Sequence, residues 1–434
     1  MKILVVNKFL YNKGGSETYI FNLFGYMKKL GHEVEYFGMD DPGNIAGNSA
    51  GQAVSPIDFK GNILKKALYP FRIIYSVEAR RKIEKVIKNF KPDIIHLNNY
   101  NYQVTPSILY GIKKHHIPVI QTLHDPQLVC PYHRLYNYRK GQNCEKCKDG
   151  RFISCVSERC IENSILKSVL GAAESYIYRG LKTYDHIDYF ISPSNFLKEK
   201  LISMNINLSE NKLIVLHNFT GENAALHTVR KKPYVLYFGR ISAEKGIRTL
   251  IEACGRLPRI RFVFAGSGEI EDELAGMDNI EFLGHKTGEE LEILIKEALF
   301  SIYPSEWYEN CPMSVLESQM LGTPVIGADI GGIPELVRDN HDGLLFRPGD
   351  PGDLAKKIKY LYENDGIREL FSRNSLEKAK EFSIANYYKR LVEIYEKAIS
   401  SHIEEKRLWE KHSASAKPGH NYKTGETVNE IAAE

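Results

Sequence analysis

No apolar run in the 434-residue chain approaches the roughly 18 residues that a membrane-spanning helix needs. A large excess of one charge is also missing: 58 Lys and Arg against 54 Asp and Glu leave a net charge of +4. That is too little basic character to argue for a nucleic-acid partner. The opening residues, MKILVVNKFLYNKGG, hold too short an apolar stretch and no small-residue cleavage site. They read as a buried first strand rather than a signal peptide, and the expectation is a cytoplasmic protein. Three phosphate signatures are absent. No G-x-G-x-x-G follows the first strand, no G-K-[ST] completes a P-loop, and no D-x-D is present: DHID (185–188) and MDDP (39–42) have the wrong pattern.

What the sequence does contain is alternation. Short apolar runs, KILVV (2–6), HEVEYFG (32–38), DIIHL (93–97), VIQTLHD (119–125), YFISPS (189–194) and LIVLHN (213–218), alternate with helical stretches near 16–31, 63–90, 105–115, 164–184 and 195–204. Pro70 breaks or kinks the second of these. A polar stretch, 219–232, interrupts the pattern, which then restarts with YVLYFGR (234–240), RFVFAG (261–266), IEFLG (280–284), FSIYPS (300–305), PVIGAD (324–329) and GLLF (343–346). Apolar strands alternating with helices imply a parallel sheet covered on both faces. The expected organisation is a first α/β domain over 1–218 with a Cys-rich insertion at about 130–160, a linker at 219–232, and a second α/β domain over 233–383. A helix over 384–408 crosses back to the first domain, and 409–434 form a disordered tail. Doubly wound sheets bind ligands at the carboxyl ends of their strands, so the cleft between two such sheets is the expected site.

The motifs cluster at those strand ends. NKGGSETYI (12–20) places Gly14 and Gly15 between the first strand and first helix, where Ser16 or Thr18 can cap. YFGRISAEKGI (237–247) places Arg240 and Lys245 where a guanidinium fork and a point charge suit a diphosphate, although a solvated basic loop looks the same. Gly266, in AGSGE (265–269), and Gly284, in FLGHKTG (282–288), are turns that permit close approach of a nucleotide. Backbone groups near His285 can read a base edge. His124 ends a strand of the first half. In ENCPMSVLE (309–317), Pro312 is expected as the first helical residue, with Glu309 in the preceding loop and Glu317 in the second turn. Both carboxylates would then lie near a helix start, where simple capping chemistry also explains them.

These motifs together resemble retaining glycosyltransferases of family 4, which have the GT-B architecture: α/β, two Rossmann-like doubly wound domains with an interdomain cleft. The matching residues are G-R-x-x-x-E-K-G (239–246), A-G-x-G (265–268), F-L-G (282–284), P-S-x-x-E ending at Glu309, the Glu309/Glu317 pair, G-T-P-V-I (322–326) and G-G-I-P-E (331–335), with Gly14, Gly15 and His124 in the first half. The resemblance covers roughly residues 1–400. It implies a nucleotide-sugar donor, UDP favoured, and a saccharide or lipid-linked acceptor in polysaccharide or cell-envelope glycan synthesis. It also implies roles. Gly14 and Gly15 let their loop approach the donor phosphates, and Arg240 and Lys245 neutralise the diphosphate. Glu309 orients the sugar, Glu317 holds the ribose, and His124 lies near the reacting centre. The backbone of Pro312, Met313, Ser314 and Val315 sits near sugar and phosphate. No cofactor is expected for transfer. The rivals are a GT-B nucleotide-sugar epimerase and a non-catalytic nucleotide-sugar-binding protein.

Two features depart from that pattern. Cys130, Cys144, Cys147, Cys155 and Cys160 cluster, and the C-x2-C spacing of Cys144 and Cys147, joined by Cys155 and Cys160, suits a structural zinc, while an iron–sulfur cluster or simply free thiols in an insertion fit the same pattern. Residues 60–91 hold ten Lys and Arg against Glu78 and Glu84, interleaved with aromatic and aliphatic residues, a composition suited to peripheral contact with an anionic membrane surface or to a solvated helix face.

Overall fold

The computed structural model describes residues 1–56, 70–205, 208–221 and 229–415. Its strands are β1 (Lys2–Val6), β2 (Glu33–Phe37), β3 (Ile94–Leu97), β4 (Val119–Thr122), β5 (Tyr136–Asn137), β6 (Gln142–Asn143), β7 (Tyr189–Ser192) and β8 (Leu213–Val215) in the first half. The second half contributes β9 (Tyr234–Phe238), β10 (Arg261–Ala265), β11 (Ile280–Phe282), β12 (Phe300–Tyr303), β13 (Val325–Ala328) and β14 (Gly343–Phe346). Two six-stranded parallel sheets result, ordered β2-β1-β3-β4-β7-β8 and β11-β10-β9-β12-β13-β14. In each, the strand order reverses at one place: between β1 and β3 in the first sheet, and between β9 and β12 in the second. The loops leaving these pairs diverge to opposite faces and open a crevice at the carboxyl ends.

The strands are short runs buried on both faces, as β3, β4, β9 and β13 show. Each sheet therefore needs helices on both sides to remove its apolar surface from water. The second sheet obtains its cover locally. The first takes part of its cover from the far end of the chain: the helix Ile384–Ser415 buries Tyr387, Leu391 and Tyr395 with Ile3, Val5, Tyr19 and Phe24. The contact is also polar. His96 Nδ1 lies 2.5 Å from the Tyr395 hydroxyl, and the Tyr19 and Tyr387 hydroxyls are 2.5 Å apart.

Several expectations change. The first helix spans Gly15–Lys29, and neither Ser16 nor Thr18 caps it. Ser16 Oγ instead donates to Glu17, and Thr18 Oγ1 donates back to the Gly14 carbonyl. The helix Met313–Met320 begins one residue late, with Pro312 as the extended residue before it (φ −67°, ψ 122°). Of the stretch 63–90, residues 70–74 form a helical turn beginning at Pro70 and Val77–Phe90 a helix with Ser76 as its cap, the two parted at 75–76, and 57–69 lie outside the described residues. The C-terminal helix continues past Trp409 to Ser415, so 409–415 are helix rather than tail, and 416–434 lie outside the described residues. The helix Asp365–Ala379 and the β5–β6 hairpin were not foreseen.

Candidate active site

Lys245 leaves β9 on a short 3-10 turn (Ala243–Lys245), and Glu309 follows β12, so both stand at the reversal point of the second sheet. The Lys245 Nζ lies 2.6 Å from Glu309 Oε1 and 3.0 Å from the Tyr303 hydroxyl. The same carboxylate oxygen accepts from Ser305 Oγ (2.9 Å) and Trp307 Nε1 (2.5 Å). Glu309 is 7% exposed. Burial alone would push its carboxyl up, but the Lys245 charge and the three donors outweigh that and hold it below the usual carboxylate range. Glu309 is therefore not a helix cap. It is the buried end of an ion pair whose cation faces an aromatic ring, with Lys245 Nζ 5.2 Å from the Trp307 centroid.

Trp307 gathers the remaining charges. Arg240 lies 5.6 Å from its ring centroid and Arg134, from the first half, 5.4 Å. Arg240 is paired with Glu244 at 2.6 Å and about half-exposed, so its guanidinium keeps a solvent-facing side. The structure thus brings Arg240, Lys245 and Glu309 to one place around an indole that the motif reading passed over. Trp307 is one of two tryptophans in the chain, and its place two residues before Glu309 was the available signal.

The first half reaches this loop directly. Asn310 Nδ2 donates to the Leu123 carbonyl (3.0 Å), and its Oδ1 accepts from Ser194 (2.7 Å). His124 adjoins that contact. Its Nε2 donates to Asn98 Oδ1 (2.9 Å), and burial lowers its pKa to about 4, so the ring is neutral at pH 7. Asn143 of the hairpin clamps the loop twice, donating to the Glu306 carbonyl (3.0 Å) and accepting from Tyr308 N–H (3.2 Å). Glu145 accepts from the Tyr308 hydroxyl (2.8 Å) and pairs with Lys200 (2.7 Å).

The G-G-I-P-E turn completes the arrangement. A Cβ at Gly331 would stand 2.4 Å from the Glu309 carbonyl oxygen, and one at Gly332 would stand 1.8 Å from that of Asn310. Only glycines let this turn lie against the loop. Glu335, at its end, accepts from Asn195 N–H (2.8 Å) and Phe196 N–H (2.7 Å) at the start of a first-half helix, and from His217 (2.8 Å). These hydrogen bonds between the halves were invisible in sequence because they join residues more than 100 positions apart.

Other site residues stand apart from this centre. Glu317 is half-buried in the helix and its side chain makes no hydrogen bond or ion pair among the described residues; burial, then Glu292, raises its pKa. Gly14 lies on the first-half crevice beside Lys13 and Asp125, with Gly15 next to it at the helix start. Gly266 lets its turn pass the Gly239 carbonyl, which a Cβ would meet at 1.9 Å, so packing alone calls for glycine there. Gly284 (φ +68°) receives the Gly266 amide, and His285 beside it is exposed. Met313, Ser314 and Val315 form the first turn of their helix. The cysteines of the expected zinc set lie within electrostatic reach of one another, while among the described residues no three His, Cys, Asp or Glu side chains are placed to hold an ion. Cys144, Cys147, Cys155 and Cys160 are free thiols; burial, then the neighbouring Cys130, Cys160 and Cys144, pushes Cys147 well up, and Cys155 shares a hydrogen bond with Cys160. In the stretch 60–91, Glu78 pairs with Arg72 and Lys82, and Glu84 with Lys114, so part of its charge is internally neutralised. No helix among the described residues is long and apolar enough to cross a membrane.

Comparison with known proteins places this geometry. The model described as Glycosyltransferase Family 4 matches residues 13–220, and that of Glycosyl transferases group 1 matches 221–378. A sulfoquinovosyl transferase of Arabidopsis thaliana is 31% identical over 159 residues, 35% of this chain and 31% of that protein. A D-inositol 3-phosphate glycosyltransferase of Mycolicibacterium smegmatis is 30% identical over 241 residues, 50% of this chain and 55% of that protein. The match thus spans about a third to a half of these curated relatives. A solved glycosyltransferase of Rickettsia africae superposes with a TM-score of 0.65 at 18% identity, covering 92% of this chain and 98% of that one. A protein of Anabaena solved in complex with UDP-glucose does so at 0.62 and 15%, covering 92% and 100%. At such identities the likeness is one of fold, and the fold is GT-B.

Proposed function

The chain belongs to glycosyltransferase family 4, its two family models adjoining at residues 220 and 221, and from that premise we propose that it is a retaining hexosyltransferase. It moves a sugar from a nucleotide sugar, UDP favoured, to a saccharide or lipid-linked acceptor in polysaccharide or envelope-glycan synthesis. The second half holds the donor and the first half the acceptor. The observation that carries this reading is the buried Lys245–Glu309 pair at the reversal point of the second sheet. A diphosphate there meets Lys245 and the open side of Arg240, which stabilise the charge that develops as the bond to the anomeric carbon breaks. The free oxygen of Glu309 accepts from sugar hydroxyls. Its ion pair keeps it ionised for that task. Glu317, without an internal partner, takes the ribose hydroxyls. Neutral His124 contributes a hydrogen bond near the sugar rather than a charge. UDP is favoured because a structural neighbour was solved with UDP-glucose. Action in the cytoplasm, with the basic stretch 60–91 touching a membrane surface, belongs to the same reading.

The test is a thermal-shift screen of nucleotide sugars followed by transfer assays. A UDP-sugar should stabilise the protein, and Glu309→Gln should lower kcat by about 10²–10³, the scale of one lost transition-state contact, while UDP still binds. No stabilisation by any nucleotide sugar, or undiminished turnover in the variant, would sink the reading.

A further inference from the structure

The reversal point of the first sheet carries a site of its own. A cavity of about 220 Å³ opens there, bounded by Lys8 after β1, Lys13 in the following turn, Asn101 after β3, Asp125 after β4, and Arg134 from the insertion. Its acids are already engaged. Glu17 accepts from Asn7 (3.0 Å) and Ser16 (3.1 Å), and Asp125 accepts from the Gln127 amide (3.1 Å). Its cations are not. Lys8, Lys13 and Arg134 make no side-chain hydrogen bond or ion pair among the described residues, only cation–ring contacts. The Lys8 and Lys13 ammoniums both converge on the Phe9 ring, at 4.9 and 3.6 Å. Glu17 and Asp125 act on these cations only across the cavity, so three cations against two acids leave an excess of positive charge that a ligand can answer. Asn101 leaves its buried Oδ1 without a hydrogen-bond partner, a place for a hydroxyl donor. Arg134 then links the cavity to the Trp307 ring, and Trp307 to Glu309.

We propose that this cavity is the acceptor subsite and that it selects acceptors carrying an anionic group, a phosphate or a carboxylate, held by Lys8, Lys13 and Arg134. The proposal rests on the transferase reading, because the word acceptor has meaning only there. The physical basis is its own. The donor side answers its buried cation with Glu309 in direct contact, whereas the cations of this side touch no acid and outnumber the two that line the cavity. Burial lowers the pKa of Lys8, with Lys13 and Arg134 adding to the effect and Asp125 and Glu17 opposing it. An anion in the cavity reverses that direction.

The experiment titrates the full chain, with and without saturating UDP, with sn-glycerol 3-phosphate, glucuronate and glycerol. Both anions should bind the UDP-loaded protein and weaken with added salt, and glycerol should not. Stronger binding of the phosphate than of glucuronate would assign a phosphorylated acceptor, and the reverse order a uronate. Lys8→Met and Lys13→Met should each weaken the anions by about tenfold, the scale of one charge-assisted contact. Lys8→Arg should restore most of the affinity. UDP titration of each variant certifies its fold. Anions that bind no better than glycerol, or Met variants that bind like the wild type, overturn the proposal. A protein that takes the anions but no nucleotide overturns the transferase reading instead.

Discussion

Glu309 in the second half and Glu174 in the first are both buried, 7% and 3% exposed, and they sit in opposite electrostatic states. Glu309 is matched by Lys245 and held ionised. Glu174 leaves its Oε1 without a hydrogen-bond partner, and burial pushes its pKa up to about 8. The cations show the converse: that of the second half is paired inside the protein, whereas those of the first-half cavity are not. One half thus has a site whose charges are set in advance, the condition for stabilising a transition state without reorganisation. The other has an open balance that a ligand completes. The halves also differ in construction, because the first sheet is finished only when the helix Ile384–Ser415 packs on it.

The largest effect tests that construction. Leu391 is fully buried against the first sheet, though it follows every strand of the second in sequence. Leu391→Ala should cost about 2–5 kcal/mol, as large-to-small changes in packed cores do. Chemical denaturation of the full chain would show it, with the first half losing structure first. A loss confined to the second half would break the comparison.

Much of this division was legible in the sequence. The alternation of apolar strands and helices marked both sheets, since a strand buried on both faces is a short unbroken apolar run, as IIHL and VIQT show. Glu309, Lys245 and Arg240 stood out because loops after strands carry ligands in such sheets, and the structure brings the three together around Trp307. What escaped was of two kinds. The two-residue strands Tyr136–Asn137 and Gln142–Asn143 are too short to show a period, so the hairpin that clamps the 306–308 loop was hidden inside a stretch read only for its cysteines. The Lys245–Glu309 pair joins positions 64 apart, and Glu335 reaches Phe196 across 139. No local pattern encodes such partners. The cysteine cluster is a related case: C-x2-C spacing permits a metal site, but three-dimensional placement decides it, and although the thiols lie within electrostatic reach of one another, no three side chains among the described residues are placed to hold an ion.

A smaller effect sharpens the contrast between the two glutamates. Burial raises the pKa of Glu174 in the folded chain to about 8, above the ordinary carboxylate value of 4.5. Between those values the native state binds a proton that the unfolded state releases, so stability falls as pH rises through that window. The wild type should lose roughly 4 kcal/mol between the acid and alkaline ends of the window, relative to Glu174→Gln, which has no proton to lose. Urea midpoints across that range would show it. Parallel curves for the two proteins would mean that Glu174 has a partner after all and resembles Glu309.

The smallest effect lies where the halves touch. Asn143 holds the loop that carries Trp307 by two hydrogen bonds to backbone, and Trp307 in turn donates to Glu309. Each such bond is worth about 0.5–1.5 kcal/mol. Asn143→Ala should therefore leave the fold intact but loosen the indole, raising the KM for the donor by about fivefold, the factor that roughly 1 kcal/mol supplies. Because the other tryptophan, Trp409, lies in the C-terminal helix, a red shift of Trp emission on substitution reports the 306–308 loop. A change in donor KM together with that shift would make the insertion a positioning element for the second half's carboxylate. An unmoved spectrum and an unmoved KM would show that the second half sets its site without help from the first.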